Sequence, residues 1–178
     1  MAGPSSLPFA TAVAANSGVT TALATLTKLD TFFDNRGRKF RLFQCPTSLT
    51  GTNTAAGDAC YVVVPDKFTN TVASATGSST TLIHAGAAPG IIIPSTSSIT
   101  YYTLLLVEGR MTVNTVDSSG TAGDYLIMST TNAKYTYLAQ ADTTTLTQAV
   151  QSQYSAGRIL ANASSGTADA FVKASLGT

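Results

Sequence analysis

Hydrophobic and polar positions along the chain fall into short period-two runs and short solid apolar blocks, separated by stretches rich in Thr, Ser and Gly. That pattern predicts β-strands joined by polar loops. Lys39 and Arg41 alternate with Phe40 and Leu42, the mark of a half-buried strand, and Asp34-Asn35-Arg36-Gly37 ahead of it is a turn. Cys60–Val64 is an almost wholly apolar strand stopped by Pro65, expected to lie antiparallel to the Phe40 strand across the loop between them. Residues 67–81 are polar and weakly patterned, a loop or a frayed edge strand. Ala88-Pro89-Gly90 reads as a turn and Ile91–Ile93 as a short buried strand. Tyr101–Val107 predicts a buried strand and Arg110–Val116 another after Gly109. Arg158–Ala161 pairs with Ala170–Ala174 across the polar turn "NASSGTAD". Thr144–Gln153 fits either a short helix or an extended crossing segment.

One phrase occurs twice. "TAAGD" ends at Asp58 and "TAGD" at Asp124, and each leads into an apolar strand. Gly takes positive φ without steric cost and Asp accepts a backbone N–H at the turn, so each phrase predicts a tight turn feeding the sheet, with Gly57, Asp58, Gly123 and Asp124 as its structural residues. Superposing Asp124 on Asp58 puts Phe40–Gln44 on Leu106–Arg110. Two readings stand: duplicated halves, at about 35–66 and 100–130, or chance similarity between hairpins.

Residues 1–27 have no period of their own, and Pro4 and Pro8 block early regular structure. This segment is either a loose terminus or an arm that orders on a neighbour, with Leu7, Phe9, Val13 and Leu23 as apolar anchors. The expected division is an extended arm over 1–27 and an all-β, barrel-like domain over 28–178, closed by the 158–174 hairpin.

Composition sharpens the β reading. The chain has 178 residues, 44% hydrophobic and only 11% charged, against about 25% charged in an average domain. Glu108 is the one glutamate, so the usual vocabulary of surface helices is missing. A net charge of +1 gives no field to draw nucleic acid or an acidic membrane. The N-terminus lacks a basic region followed by a continuous apolar one, and no apolar run is long enough to span a bilayer, so neither a signal peptide nor a membrane span is expected.

Candidate chemistry is sparse. His84, the only histidine, sits beside Leu82 and Ile83 and reads as structural. No G-x-S-x-G elbow, P-loop or G-x-G-x-x-G motif occurs. One His and two Cys make a poor metal set, so no metal and no cofactor are expected. Cys45 and Cys60 read as buried free thiols, with pairing across the loop as the alternative. Arg36, Arg38, Lys39 and Arg41 form the one basic cluster, either a solvated hairpin or a docking patch for an acidic partner surface. No enzyme is expected.

The order of phrases carries one resemblance: "NRGRKFRLFQC", "AAGDACYVVV", "APGIII", "YYTLLLVEGRMTVNTVDSSGTAGDYLIMST", then "GRILANASSGTADAFVKASL". From residue 35 to 176 it resembles the small capsid decoration (cement, or head auxiliary) proteins of tailed bacteriophages. The closing phrase departs from the family's usual G-x-A spacing, and residues 67–85 are more polar than the family pattern. The resemblance implies an all-β barrel-like or β-tulip protein on the outer capsid surface of the virion. It implies binding to the assembled major capsid protein as a homo-oligomer, a trimer favoured, with Leu7, Phe9, Val13, Leu23, Arg36 and Arg38 as candidate capsid or subunit contacts. It also implies no catalysis. Two rivals are a receptor- or glycan-binding β-module of a head or tail fibre, with Tyr101, Tyr135 and Tyr137 on a sugar face, and a small β-barrel hydrolase.

Overall fold

The computed structural model describes residues 31–49, 54–64, 67–70, 83–139 and 155–174. The arm, the Thr144–Gln153 segment and most of the polar 67–81 stretch therefore lie outside the described residues. Ten strands form the fold: β1 (Thr31–Phe33), β2 (Lys39–Gln44), β3 (Ala59–Val64), β4 (Lys67–Thr69), β5 (His84–Ala87), β6 (Tyr102–Asn114), β7 (Tyr125–Met128), β8 (Tyr135–Leu138), β9 (Ser155–Ile159) and β10 (Thr167–Lys173). The architecture is all-β, and no helix occurs among the described residues.

The strand order is β1-β2-β4-β3-β5-β6-β10-β9-β7-β8, with a further β2–β6 pairing. That extra pairing closes β2-β4-β3-β5-β6 into a five-stranded barrel. The chain then traces the circuit again: β6 pairs β10, β10 pairs β9, β9 pairs β7 and β7 pairs β8. One parallel bridge, Thr115 to Tyr135, joins β8 back to the chain just past β6. It matches the parallel contact of Gln44 with Lys67 that joins β2 to β4. β6 thus belongs to both circuits, its first part to one and its last part to the other.

The repeated phrase is the seed of this likeness. Gly57 and Gly123 hold φ of 85° and 97°. The Asp58 carboxylate accepts the Ala55 N–H at 2.8 Å, and the Asp124 carboxylate accepts the Thr121 N–H at 2.8 Å. Gly57 N–H donates to the Ala88 carbonyl and Gly123 N–H to the Ile159 carbonyl, both at 2.8 Å. Each turn is thereby tied to the chain at the end of β5 or β9. Gly86 on β5 and Gly157 on β9 then occupy equivalent irregular positions, opposite Cys60 and Leu126, with φ of 147° and 143°. The likeness in strand order runs from β2 into β6 and from β6 to β10. The counterpart of β2 in the second circuit is the later part of β6, ending at Asn114 beside the Thr115 bridge, and not Leu106–Arg110. The loop from strand to turn is shorter in the second half, so a fixed offset from the turn misaligns the strand before it.

Three other expectations change. β2 and β3 form no hairpin, because β4 lies between them, parallel to β2 and antiparallel to β3. The two strands expected on either side of Gly109 are one strand of thirteen residues. Leu104 and Leu106 face one core while Met111 and Val113 face the same core at odd numbers, a parity change set by a bulge near Gly109, whose φ is 139°. Ile91–Ile93 is not a strand: only Ile92 is buried, bridged to Thr54, while Ile91 is exposed. The C-terminal hairpin forms with Ile159 opposite Ala170 and Arg158 opposite Phe171.

Both faces of β3 and early β6 are buried, which explains their nearly continuous apolar spelling, while β2 alternates buried Phe40 and Leu42 with half-buried Lys39 and Arg41. Phe43, Cys60, Val62, Phe68, Leu105 and Val107 fill one cluster, whose buried members come from the first circuit, with Ala174 just past β10 packed against it. Phe40, Leu42, Tyr61, Leu104 and Leu106 face the other way and share a larger cluster with Leu126, Tyr135, Ile159, Ala170 and Val172 of the second.

Candidate interaction surface and buried polar joint

Two polar groupings bear on function: one buried between the circuits, one exposed at the start of the sheet. The buried one begins with His84, fully buried on β5, whose Nε2 lies 2.7 Å from the Tyr135 hydroxyl on β8. Their rings meet edge to face at 5.4 Å between centroids. The Tyr135 hydroxyl also lies 3.4 Å from the Gly86 carbonyl. Burial pushes His84 down to about 4, against the opposing pull of the Lys173 and Gly86 backbone. The imidazole is thus neutral at neutral pH. Burial also pushes the Tyr135 hydroxyl well up.

Tyr61 on β3 reaches across the same joint. Its hydroxyl is within hydrogen-bond range of the carbonyls of Ser129, Thr131 and Lys134, at 3.4, 3.2 and 3.3 Å. A buried donor facing carbonyls from the loop between β7 and β8 fixes how one circuit sits on the other. Tyr61→Phe is expected to destabilise by about 1–2 kcal/mol, by removing a shared donor from carbonyls that are buried or partly buried. Urea unfolding is the measurement, and an unchanged midpoint would show that the hydroxyl makes no net contribution.

Cys45 and Cys60 are both buried and free. Burial pushes the Cys45 thiol up to about 12; burial first, then the Asp58 and Cys45 charges, push Cys60 well up. Thiols held protonated this firmly are poor nucleophiles. Asp58 is buried too, and its carboxylate accepts the Asn114 side-chain amide at 2.7 Å as well as the Ala55 N–H, so it serves its turn.

The exposed grouping is β1 with the turn to β2. Asp34 organises that turn: Oδ1 accepts the Arg36 and Arg38 N–H groups, both at 2.9 Å, and Oδ2 accepts Arg38 Nε at 2.7 Å. Slight burial, which raises the Asp34 pKa, is outweighed by these hydrogen bonds and the Arg38 charge, and the carboxyl lies below its ordinary value. Arg38 also lies over the Phe40 ring, 5.4 Å from its centroid. Two of the candidate contacts therefore differ: Arg38 is held inside the turn, while Arg36 is exposed. Phe33, which sequence pattern did not single out, is 68% exposed at the end of β1. The signal for it is the pair Phe32-Phe33 before a turn, since in a strand one of two neighbours faces out. Leu7, Phe9, Val13 and Leu23 lie outside the described residues.

The tyrosines of the sugar-face reading do not share a surface. Tyr135 is fully buried, and the Tyr137 hydroxyl accepts the Ser119 N–H at 2.6 Å while its ring packs on the larger core. Among the described residues no group of three or more His, Cys, Asp or Glu is placed to hold a metal ion. Comparison with protein-family models, curated proteins and solved structures gives no match.

Proposed function

We propose that the chain is a virion structural protein that binds the outer surface of the assembled major capsid protein lattice and stabilises a tailed-phage head, working as a homo-oligomer, a trimer favoured, without catalysis. The observation that carries this reading is the adhesive start of the sheet: Phe33, two-thirds exposed on a terminal strand, beside the exposed Arg36 and directly after the N-terminal segment. Large exposed aromatics on sheet ends are partner-seeking features. The burial of the single histidine against Tyr135 supports a structural over a hydrolytic reading. A protein that binds only the assembled lattice stabilises it by about 2.7 kcal/mol per site at a hundredfold excess over Kd.

The test is co-sedimentation with heads assembled without the chain. The whole chain is expected to pellet with heads and to raise their disruption temperature. Deleting residues 2–27 is expected to leave a folded core that binds heads more weakly or assembles less fully. Failure of the whole chain to pellet, with binding on a glycan array instead, would move the assignment to the fibre-module reading.

A further inference from the structure

The outer face of the second circuit carries one straight row of side chains. Register places Arg110 opposite Phe171, Phe171 opposite Arg158, Arg158 opposite Tyr125, and Tyr125 opposite Leu138. The row crosses β6, β10, β9, β7 and β8 at right angles to the strands. Five strands at ordinary spacing make it roughly 19 Å long. It alternates cation and ring: Arg, Phe, Arg, Tyr, then Leu. The Arg158 guanidinium lies 3.6 Å from the centroid of the Tyr125 ring, and its Nη1 donates to the Gly123 carbonyl at 2.8 Å. Arg110 is gripped by Asp169, its Nε 3.0 Å from both carboxylate oxygens and its Nη2 on Oδ2. Phe171 is 40% exposed and the Arg110 side chain 71% exposed.

We infer that this row is a docking strip for a carboxylate-bearing surface of a partner protein. Arg158 carries the argument. A guanidinium has five N–H donors; stacking and one carbonyl hold the group still but leave most of them unspent, and no carboxylate among the described residues forms an ion pair with it. Arg110, by contrast, has its acid. Lys39 and Lys173 on the same side both lie opposite Glu108 alone. The face thus holds more cations than acids, and its rigid fork fits a carboxylate in two-pronged fashion. Arg, Tyr and Phe are also the residues that anchor protein interfaces. A second copy is a poor occupant, since the same cations would face each other. A neutral sugar is poorer still, because the row offers mainly donors and the carboxylate nearest it, Asp169, is engaged by Arg110. The inference rests on the capsid reading only for the partner's identity, not for its chemistry.

Two experiments separate the parts. The first titrates a glutamate oligomer into the isotope-labelled whole chain and follows amide shifts by NMR. Saturable shifts at Tyr125, Arg158 and Phe171 are expected. Binding is expected to weaken about tenfold in Arg158→Gln and in Phe171→Ala, the size of a modest hot-spot truncation, and to be unchanged in Lys67→Gln, an exposed cation on β4. Shifts confined to the Asp34–Arg38 turn, equal binding by both row variants, or tighter binding of polygalacturonate than of the glutamate oligomer would overturn the inference. So would a whole chain that self-associates and becomes monomeric as Phe171→Glu. The second repeats head co-sedimentation with Arg158→Gln. Weaker pelleting of that variant supports the strip as the capsid contact. Equal pelleting overturns the strip as the capsid contact and leaves the capsid reading standing. Glutamate binding at the row without any pelleting of the whole chain overturns the capsid reading and keeps the strip.

Discussion

Gly157→Ala is expected to cost more than about 4 kcal/mol and to leave little folded protein at room temperature. Two effects add at this position. Its φ of 143° is one that side chains rarely adopt, and a Cβ there would overlap the Phe171 carbonyl oxygen of β10. The colliding atom is backbone, so no rotamer change relieves it, and β9 would have to leave β10. Gly37 provides the comparison: its φ of 73° is also positive, but a Cβ there meets nothing within 4 Å. Gly37→Ala is therefore expected to lose only about 1 kcal/mol, the strain of the backbone alone. Denaturant unfolding of both variants, with circular dichroism as the readout, checks the pair. If Gly157→Ala is no worse than Gly37→Ala, the close approach of β9 to β10 is wrong.

Acid is expected to weaken the fold through His84. Its folded pKa is about 4 against an unfolded value of 6.5. Between those values the unfolded chain binds a proton that the folded chain refuses. Stability is therefore full above pH 6.5, falls as pH drops toward 4, and levels off for this group below 4. The gap is worth about 3 kcal/mol over that window. The groups facing the imidazole are the Tyr135 hydroxyl, at 2.7 Å, and the Lys173 and Gly86 backbone, which offset little of the burial. His84→Gln keeps a polar side chain but cannot titrate, so its stability is expected to be lower at pH 7 and much flatter from pH 7 to 4. Parallel slopes for the two proteins, from urea midpoints at half-unit pH steps, would show that another group drives the acid loss.

Local grammar was legible in the sequence and long-range pairing was not. The Ala-Gly-Asp phrases spelled their turns because Gly and Asp each have a backbone task there. The hairpin of β9 and β10 was readable because its partners are close in sequence and separated by turn residues. β4 was hidden because three residues, Lys67–Thr69, carry too little pattern, yet their placement between β2 and β3 decides the barrel. Gly109 read as a break because a glycine in a strand signals either an end or a bulge, and only pairing to both β2 and β10 distinguishes them. Phe33 and the Arg110–Leu138 row escaped for a similar reason. Exposure and cross-strand register belong to partners far along the chain, and Tyr135 looked like a surface tyrosine until β5 was laid beneath it.

The strand shared by both circuits has a consequence for synthesis. The first ring closes only when β6 pairs with β2, so it is available to the growing chain once the residues near Glu108 have left the ribosome. At that moment Phe40, Leu42, Tyr61, Leu104 and Leu106 face outward, because the surface that covers them is made of Leu126, Tyr135, Ile159 and Val172, not yet translated. The nascent barrel is thus a sticky half-product whose greasy side is sealed only by the final hairpin. Chains truncated before β10 should be lost to aggregation or proteolysis rather than persist as a smaller soluble barrel.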